Sequence, residues 1–241
     1  MAVVTVQGMI GSEGQELAAK VARLLTADYV DRFILAEAAR RIGATVEAVA
    51  QKEESTGRLS ERLGRFLQRM LERSAVVGAS GEPFFGPGLD VLLARDYSEV
   101  TQEPITTAQQ LDDKHFIEVT TAIIREIAQA GNVVIIGRGA NIILKETPQT
   151  LHVATIAPME LRVRTMVERE QLGWKEAEQA VLEREKARVA YFKKFFKVHP
   201  DDPSLYHLVL NMGRLSLHTA AKMVAQAATD LAGSSPSPAT S

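Results

Sequence analysis

Near the N-terminus, Gly8-Met9-Ile10-Gly11-Ser12-Glu13-Gly14-Gln15-Glu16 separates a short apolar run from a helix-patterned segment. Glycines in such a place let backbone N–H groups approach an anion, and the following helix adds the positive end of its dipole. The chemistry this suits is phosphate binding. A complete phosphate loop reads G-x-x-x-x-G-K-[ST], with its lysine on the outer phosphates and its hydroxyl on magnesium. Counted from Gly8, this chain has Glu13, Gly14 and Gln15 where that pattern has glycine, lysine and serine or threonine. The candidate phosphate-binding set is therefore Gly8, Gly11, Ser12, Glu13, Gly14 and Gln15, and the missing lysine charge must come from elsewhere.

Three arginine groups offer it. Gly137-Arg138-Gly139 follows the apolar run Val133-Val134-Ile135-Ile136, and an arginine at a strand end can fork onto a phosphate. The alternative is a surface arginine in a turn that needs glycine dihedrals. Pro158 opens a helix with Arg162, Arg164 and Arg169, of which Arg162 and Arg169 share a face. After Gln171-Leu172-Gly173, a charged helix from Trp174 to about Phe196 contains Lys186 and Arg188. On spacing alone these two helices read first as a solvated face laced with pairs such as Glu160 with Arg164. The five histidines show no metal-binding spacing, so no metal site is expected within the protein. In Tyr191-Phe192-Lys193-Lys194-Phe195-Phe196-Lys197 the aromatics are expected to pack inward while the lysines snorkel.

The elements that must position these residues alternate. Ala2 to Val6 reads as a buried strand, followed by a helix with Leu17, Val21, Leu24 and Leu25 at helical spacing. Asp28 to Asp31 is strand-like or a turn. The middle region is helical, with Leu35, Ala38, Ala39 and Ile42 before Gly43, a possible cap at Thr45, and a stripe of Leu63, Phe66, Leu67, Met70 and Leu71. Gly78 to Gly88 reads as a loop holding Phe84 and Phe85. A long helix is expected from Asp112 to Ala130, then strands at Val133 to Ile136, Leu151 to Ile156 and Leu208 to Leu210. His152 and Thr155 weaken the second of these runs. A final helix ends near Gly233, and a Ser/Pro-rich tail follows that is expected to be disordered over 232–241. Strands alternating with helices imply right-handed crossovers and a mostly parallel sheet, so the fold class is α/β.

With 241 residues, the chain suits one main core, and 46% hydrophobic with 24% charged residues argues against global disorder. A net charge of −2 gives no signature of a nucleic-acid binder. The absence of cysteine removes disulfides and thiolate chemistry. No apolar stretch approaches the roughly 20 residues of a membrane span, and no signal peptide is recognisable. The expected compartment is the cytoplasm, and the expected ligands are nucleotides, with neither a nucleic-acid nor a membrane partner.

Taken together, Gly11-Ser12-Glu13-Gly14-Gln15-Glu16, Tyr29-Val30-Asp31-Arg32, Val133 to Ala140, Pro158 to Glu170, Glu185 to Tyr191, Asp202 to Tyr206 and Asn211 to Leu215 resemble the cytidylate-kinase-like family of P-loop nucleoside monophosphate kinases. The resemblance reaches to about Ala228. It implies a three-layer sandwich around a parallel sheet of about five strands, with a helical monophosphate-binding insert at about 32–113 and a lid at about 171–188, in one domain over 1–231. It also implies ATP as donor, Mg2+ with the nucleotide, and CMP or dCMP as acceptor. Arg162, Arg169 and Arg188 match catalytic arginines that neutralise the transferring phosphoryl group. Asp31, Arg32 and Arg138 match substrate-binding positions.

Two positions depart from the family pattern. Glu13 replaces a glycine of the Gly-Ser-Gly-Gly-type loop, and His207 stands where aspartate follows tyrosine. The alternative reading is a catalytically inactive nucleotide-binding sensor or regulatory protein on the same fold. A scaffold that uses the helical insert is a third.

Overall fold

The computed structural model describes residues 2–33, 35, 96–101 and 107–233. Most of the expected insert at 32–113 therefore lies outside the described residues. So do the Thr45 cap, the stripe from Leu63 to Leu71, the Gly78–Gly88 loop and residues 234–241. The chain forms two compact units. One comprises Met1–Tyr29, Asp96–Glu103 and Gly131–Ser241, and the other Val30–Arg95 and Pro104–Ala130.

The first unit is built on a parallel five-stranded sheet of α/β type in the order β2-β3-β1-β4-β5. Its strands are β1 (Val3–Gly8), β2 (Asp28–Val30), β3 (Val133–Ile136), β4 (Thr150–Ile156) and β5 (Leu208–Asn211). Central β1 pairs with β3 from Val3↔Val133 to Val6↔Ile136, and with β4 from Val3↔Thr150 to Gly8↔Thr155. The second pairing carries β1 two residues beyond the sequence expectation, into the first glycine of the loop. Parallel strands buried on both faces read as continuous apolar runs, which is why these were visible in the sequence.

Helix α1 (Gly14–Leu25) contributes Leu17, Ala18, Val21 and Ala22 to a core with Val4, Val6, Leu151, Val153 and Leu210. Leu24 lies off that stripe and is exposed, contrary to the sequence expectation; the two alanines complete the buried face instead. The C-terminal helix, Leu217–Gly233, adds Ala220, Ala221, Val224 and Ala228 to the same core. It runs two residues into the segment expected to be a disordered tail.

Three short elements were not anticipated from the sequence: α2 (Tyr97–Val100), a helical turn at Ala140–Ile143 and a 3-10 turn at Pro203–Leu205. In the second unit, α3 (Thr107–Ala130) starts earlier than expected and buries Phe116, Val119, Ile123 and Ile124 on one face. After β3, the turn at Ala140–Ile143 is α4. After β4 come α5 (Met159–Glu170) and α6 (Trp174–Phe196), and the C-terminal helix is α7. Among the described residues, no helix is long and apolar enough to cross a membrane.

The polar residues of β4 turn out to be satisfied rather than disruptive. The Thr5 hydroxyl and His152 Nδ1 share a 2.8 Å hydrogen bond, and the His152 N–H donates to His207 Nδ1 at 2.9 Å. Burial, reinforced by the neighbouring His207, pushes His152 down to about 4 from the ordinary 6.5. An unfolded chain therefore binds a proton at His152 that the folded protein refuses. Stability conferred by the neutral ring is complete above pH 6.5 and is lost progressively as the pH falls toward 4. Denaturant titrations across that window should show a loss of up to about 3 kcal/mol, at least halved in His152→Gln. An equal slope in both proteins would contradict this assignment.

Candidate active site

The glycine loop folds back onto the end of β4. The Met9 N–H donates to the Thr155 carbonyl at 3.0 Å, and the Ser12 N–H to the Met9 carbonyl at 3.1 Å. The buried Ser12 hydroxyl lies 2.7 Å from the Met9 carbonyl and 2.7 Å from the Thr155 hydroxyl. The N–H and hydroxyl of Ser12 are thus engaged by the loop and by β4. A Cβ on Gly8 would lie 2.0 Å from Thr155 Oγ1, and one on Gly11, at φ +79°, would lie 2.4 Å from the Arg162 carbonyl oxygen. These two glycines exist because the loop backbone touches β4 on one side and α5 on the other.

Beyond Ser12, α1 begins. Leu17 is the first residue whose N–H closes an α1 turn, to the Glu13 carbonyl at 2.9 Å, so the N–H groups of Gly14, Gln15 and Glu16 have no partner within the helix. They form the anion-seeking end of the loop. Glu13 caps this helix in the left-handed conformation, φ 58° and ψ 22°, which explains physically why glycine suits this position. Burial, then Glu16 and Glu168, push its carboxyl above the usual range, with Arg169 opposing. The loop therefore carries an acid whose charge is disfavoured where it stands.

Two of the three expected catalytic arginines are brought together. Arg162 on α5 donates from Nε to the Ile10 carbonyl at 2.8 Å and from Nη2 to Glu185 Oε2 at 2.6 Å. The Ile10 N–H donates to the same Glu185 oxygen at 2.9 Å. Arg188 on α6 donates from Nε to Glu185 Oε1 at 2.6 Å and from Nη2 to Asp201 at 2.5 Å. Arg169 stands apart from them and pairs with Glu16, in the first turn of α1, at 2.7 Å. Burial alone lowers the Arg188 guanidinium, but Glu185 and Asp201 outweigh it and raise it overall. For Arg162, burial prevails and the shift is downward.

Exposure separates these pairs by weight. Arg164 with Glu160 forms the expected i,i+4 pair at 3.0 Å, with both side chains more than half exposed, which is worth about 0.3–0.5 kcal/mol. The Arg188 side chain is only 1% exposed. Glu185 and Asp201 are 20% and 34% exposed, so removing either costs less than the roughly 3–5 kcal/mol of a fully buried pair but far more than for an exposed one. The solvated-face reading thus holds for Arg164 and fails for Arg188. A second cluster of Val163, Met166, Ala177 and Val181 joins α5 to α6, and Ile10 packs against it. The loop and the two helices are consequently one packed assembly.

Gly137, Arg138 and Gly139 all have positive φ, at 79°, 55° and 70°. Arg138 is 2% exposed, which excludes the surface-turn reading. Its guanidinium lies 5.7 Å from the Tyr97 ring centroid, and its carbonyl accepts the Tyr191 hydroxyl at 3.3 Å. A Cβ on Gly139 would lie 2.2 Å from the Phe196 ring. Tyr191 and Phe192 are buried, as the inward packing of that stretch required. Asp31 and Arg32 belong to the sequence flanking β2. The Asp31 carboxylate accepts the Phe33 N–H at 3.0 Å, and Arg32 stacks on the Phe33 ring at 4.7 Å.

Glu185, Asp201, Thr155 and Tyr97 join the site through contacts that the motifs alone do not mark. Thr155 had a usable signal, a hydroxyl within a buried strand. Glu185 had a weaker one, three residues before Arg188 on one helix. Among the described residues no group of three or more His, Asp or Glu could hold a metal ion. Glu16, in the first turn of α1, is a carboxylate with one oxygen left over. One of its oxygens meets Arg169, and Oε2 is buried without a hydrogen-bond partner.

An open parallel sheet that gathers a glycine loop and arginines at the carboxyl ends of its strands is the α/β arrangement suited to anionic ligands. The chain belongs to the Cytidylate kinase-like family, whose sequence model matches residues 3–214. It is 35% identical over 100 residues to the cytidylate kinase of Methanopyrus kandleri, covering 38% of this chain and 52% of that protein, so the match spans about half the relative's length. A crystal structure of an uncharacterised protein from Eubacterium ventriosum aligns with a TM-score of 0.61 at 16% identity, over 95% of this chain and 98% of that one. Shikimate kinase from Bacteroides thetaiotaomicron aligns at 0.45 with 11% identity, over 96% and 98%.

Glu13 yields a direct test. Glu13→Gly removes both the left-handed strain and the disfavoured carboxylate, and should stabilise the fold by about 1 kcal/mol in urea denaturation. Glu13→Ala keeps the strain and should gain less. Equal stabilisation by both would show that backbone strain is not a factor.

Proposed function

We propose that this chain is an ATP-dependent phosphotransferase that phosphorylates a nucleoside monophosphate, with CMP or dCMP the favoured acceptor. The observation that carries this reading is the gathering of Arg162 and Arg188 around Ile10 of a glycine loop whose helix N-terminus is open. Family membership supports the same conclusion, and the name of the Methanopyrus relative supports the choice of acceptor.

In the proposed reaction an oxygen of the acceptor's phosphate attacks the terminal phosphorus of ATP. That bond forms as the bond from phosphorus to the bridging oxygen of the departing ADP breaks. Such transfer is mostly positioning and electrostatics, so no protein acid or base is required. The N–H groups of Gly14, Gln15 and Glu16 hold donor phosphate oxygens. Arg162 and Arg188 offset charge on the moving group, which replaces the lysine absent at Gly14. Arg169 acts from the α1 side, and Arg138 faces the acceptor phosphate. Glu16 Oε2 would be the protein oxygen to hold a Mg2+ ion bound with ATP, since Gln15 offers no hydroxyl, and that ion would supply further charge neutralisation. The 171–188 lid excludes water from the site.

The second reading, a nucleotide-binding sensor without turnover, is favoured by Glu13, Gly14 and Gln15. Incubation with ATP and Mg2+ across a panel of nucleoside monophosphates separates the two. ADP formation is expected with CMP or dCMP, with kcat lowered on the order of 100-fold in Arg162→Lys. Calorimetric ATP binding without ADP formation would favour the sensor, and no binding of any nucleotide would contradict both.

A further inference from the structure

Three N–H donors from three elements converge on the carboxylate of Glu185. They come from the Ile10 backbone, Arg162 Nη2 and Arg188 Nε, and Arg188 Nη2, which donates to Asp201, lies 2.5 Å from the same carboxylate. A backbone amide flanked by two guanidinium groups is a donor set suited to a phosphoryl oxyanion. Here a side chain of the protein fills it. We infer that Glu185 is an internal anion occupying the place of a ligand phosphoryl group, and that a polyphosphate binds by exchanging with it. The inference rests on the reading of this loop as a phosphate site.

The charges explain why the exchange is anion for anion. Arg162 and Arg188 face Glu185 and Asp201, so the cluster is neutral as it stands. Arg188 is almost wholly buried, so Glu185 together with Asp201 belongs on it whenever the site holds no other anion. A phosphoryl group added with Glu185 still in place would meet a carboxylate rather than free guanidinium N–H groups. Departure of Glu185 releases Ile10, Arg162 and Arg188 to the ligand together. Glu185 and Arg188 both stand on α6, within or at the edge of the expected lid, so occupancy of the loop and the seating of that helix are linked by one carboxylate.

The test uses inorganic triphosphate and ATP as separate probes in calorimetry on the full chain, comparing wild type with Glu185→Gln. Loss of the competing charge should tighten both ligands about tenfold, the reverse of what a damaged site produces. Unchanged or weaker binding by a cooperatively melting variant would overturn the inference. Should Glu185→Gln fail to fold, the Arg188 Nε–H resonance of the wild type decides: triphosphate should shift it, and an unmoved resonance at saturation would overturn the inference. Tighter triphosphate binding without ADP formation from any nucleoside monophosphate would uphold the internal anion and remove the enzymatic reading. Absence of binding by either protein would remove both.

Discussion

The closeness of the glycine-loop backbone to its neighbours is the constraint from which the site follows. Gly8 lies against the Thr155 hydroxyl and Gly11 against the Arg162 carbonyl, each too near to admit a side chain. This contact fixes where α1 begins, and with it where the unpaired N–H groups of its first turn point. Ser12 reinforces it from within by bonding to Met9 and Thr155. The apolar side chain of Ile10 then seats α5 and α6 on the loop. Arginines on those helices reach the loop because the packing brings their helices there.

Electrostatics then decides what the packed assembly can do. Exposed pairs such as Arg164 with Glu160 contribute little, whereas the partly enclosed set of Arg162, Glu185, Arg188 and Asp201 is coupled, so that no member can be removed without leaving another uncompensated. The proposed phosphoryl transfer requires positive charge at a defined place, and on that proposal Arg162 and Arg188 would supply it from helices that follow β4 rather than from the loop itself. That arrangement would account chemically for a loop with Gly14 in the lysine position. Glu13 is an acid within the loop itself, and its left-handed backbone identifies it as a side chain in a position shaped for glycine.

Much of the sheet was legible in the sequence because parallel strands covered on both faces must be apolar throughout, as Val133 to Ile136 are. The limits were less legible. β1 continues through Gln7 and Gly8 because pairing with Ala154 and Thr155 overrides glycine's poor strand propensity. Leu24 lay within reach of the helical pattern, but Ala18 and Ala22 fill the stripe where close packing favours small side chains. The arginines were legible as types and spacings. Most of their partners were not, because Glu185 meets Arg162 and Ile10, and Asp201 meets Arg188, only through tertiary contacts among α5, α6 and the loops. Periodicity reports which face of one helix is buried and is silent on which charges of two helices meet. Arg138 was placed correctly at a strand end, while its burial depends on Tyr97 and Tyr191, distant in sequence.

The central claim is that the loop and the two helical arginines form one phosphate site. A crystal structure of the protein soaked with ATP and Mg2+ tests it most directly. The account predicts donor phosphates on the N–H groups of Gly14, Gln15 and Glu16, with the guanidinium groups of Arg162 and Arg188 turned from Glu185 to the terminal phosphoryl group. Phosphates bound elsewhere, with Glu185 still joined to Ile10 and both arginines, would contradict it.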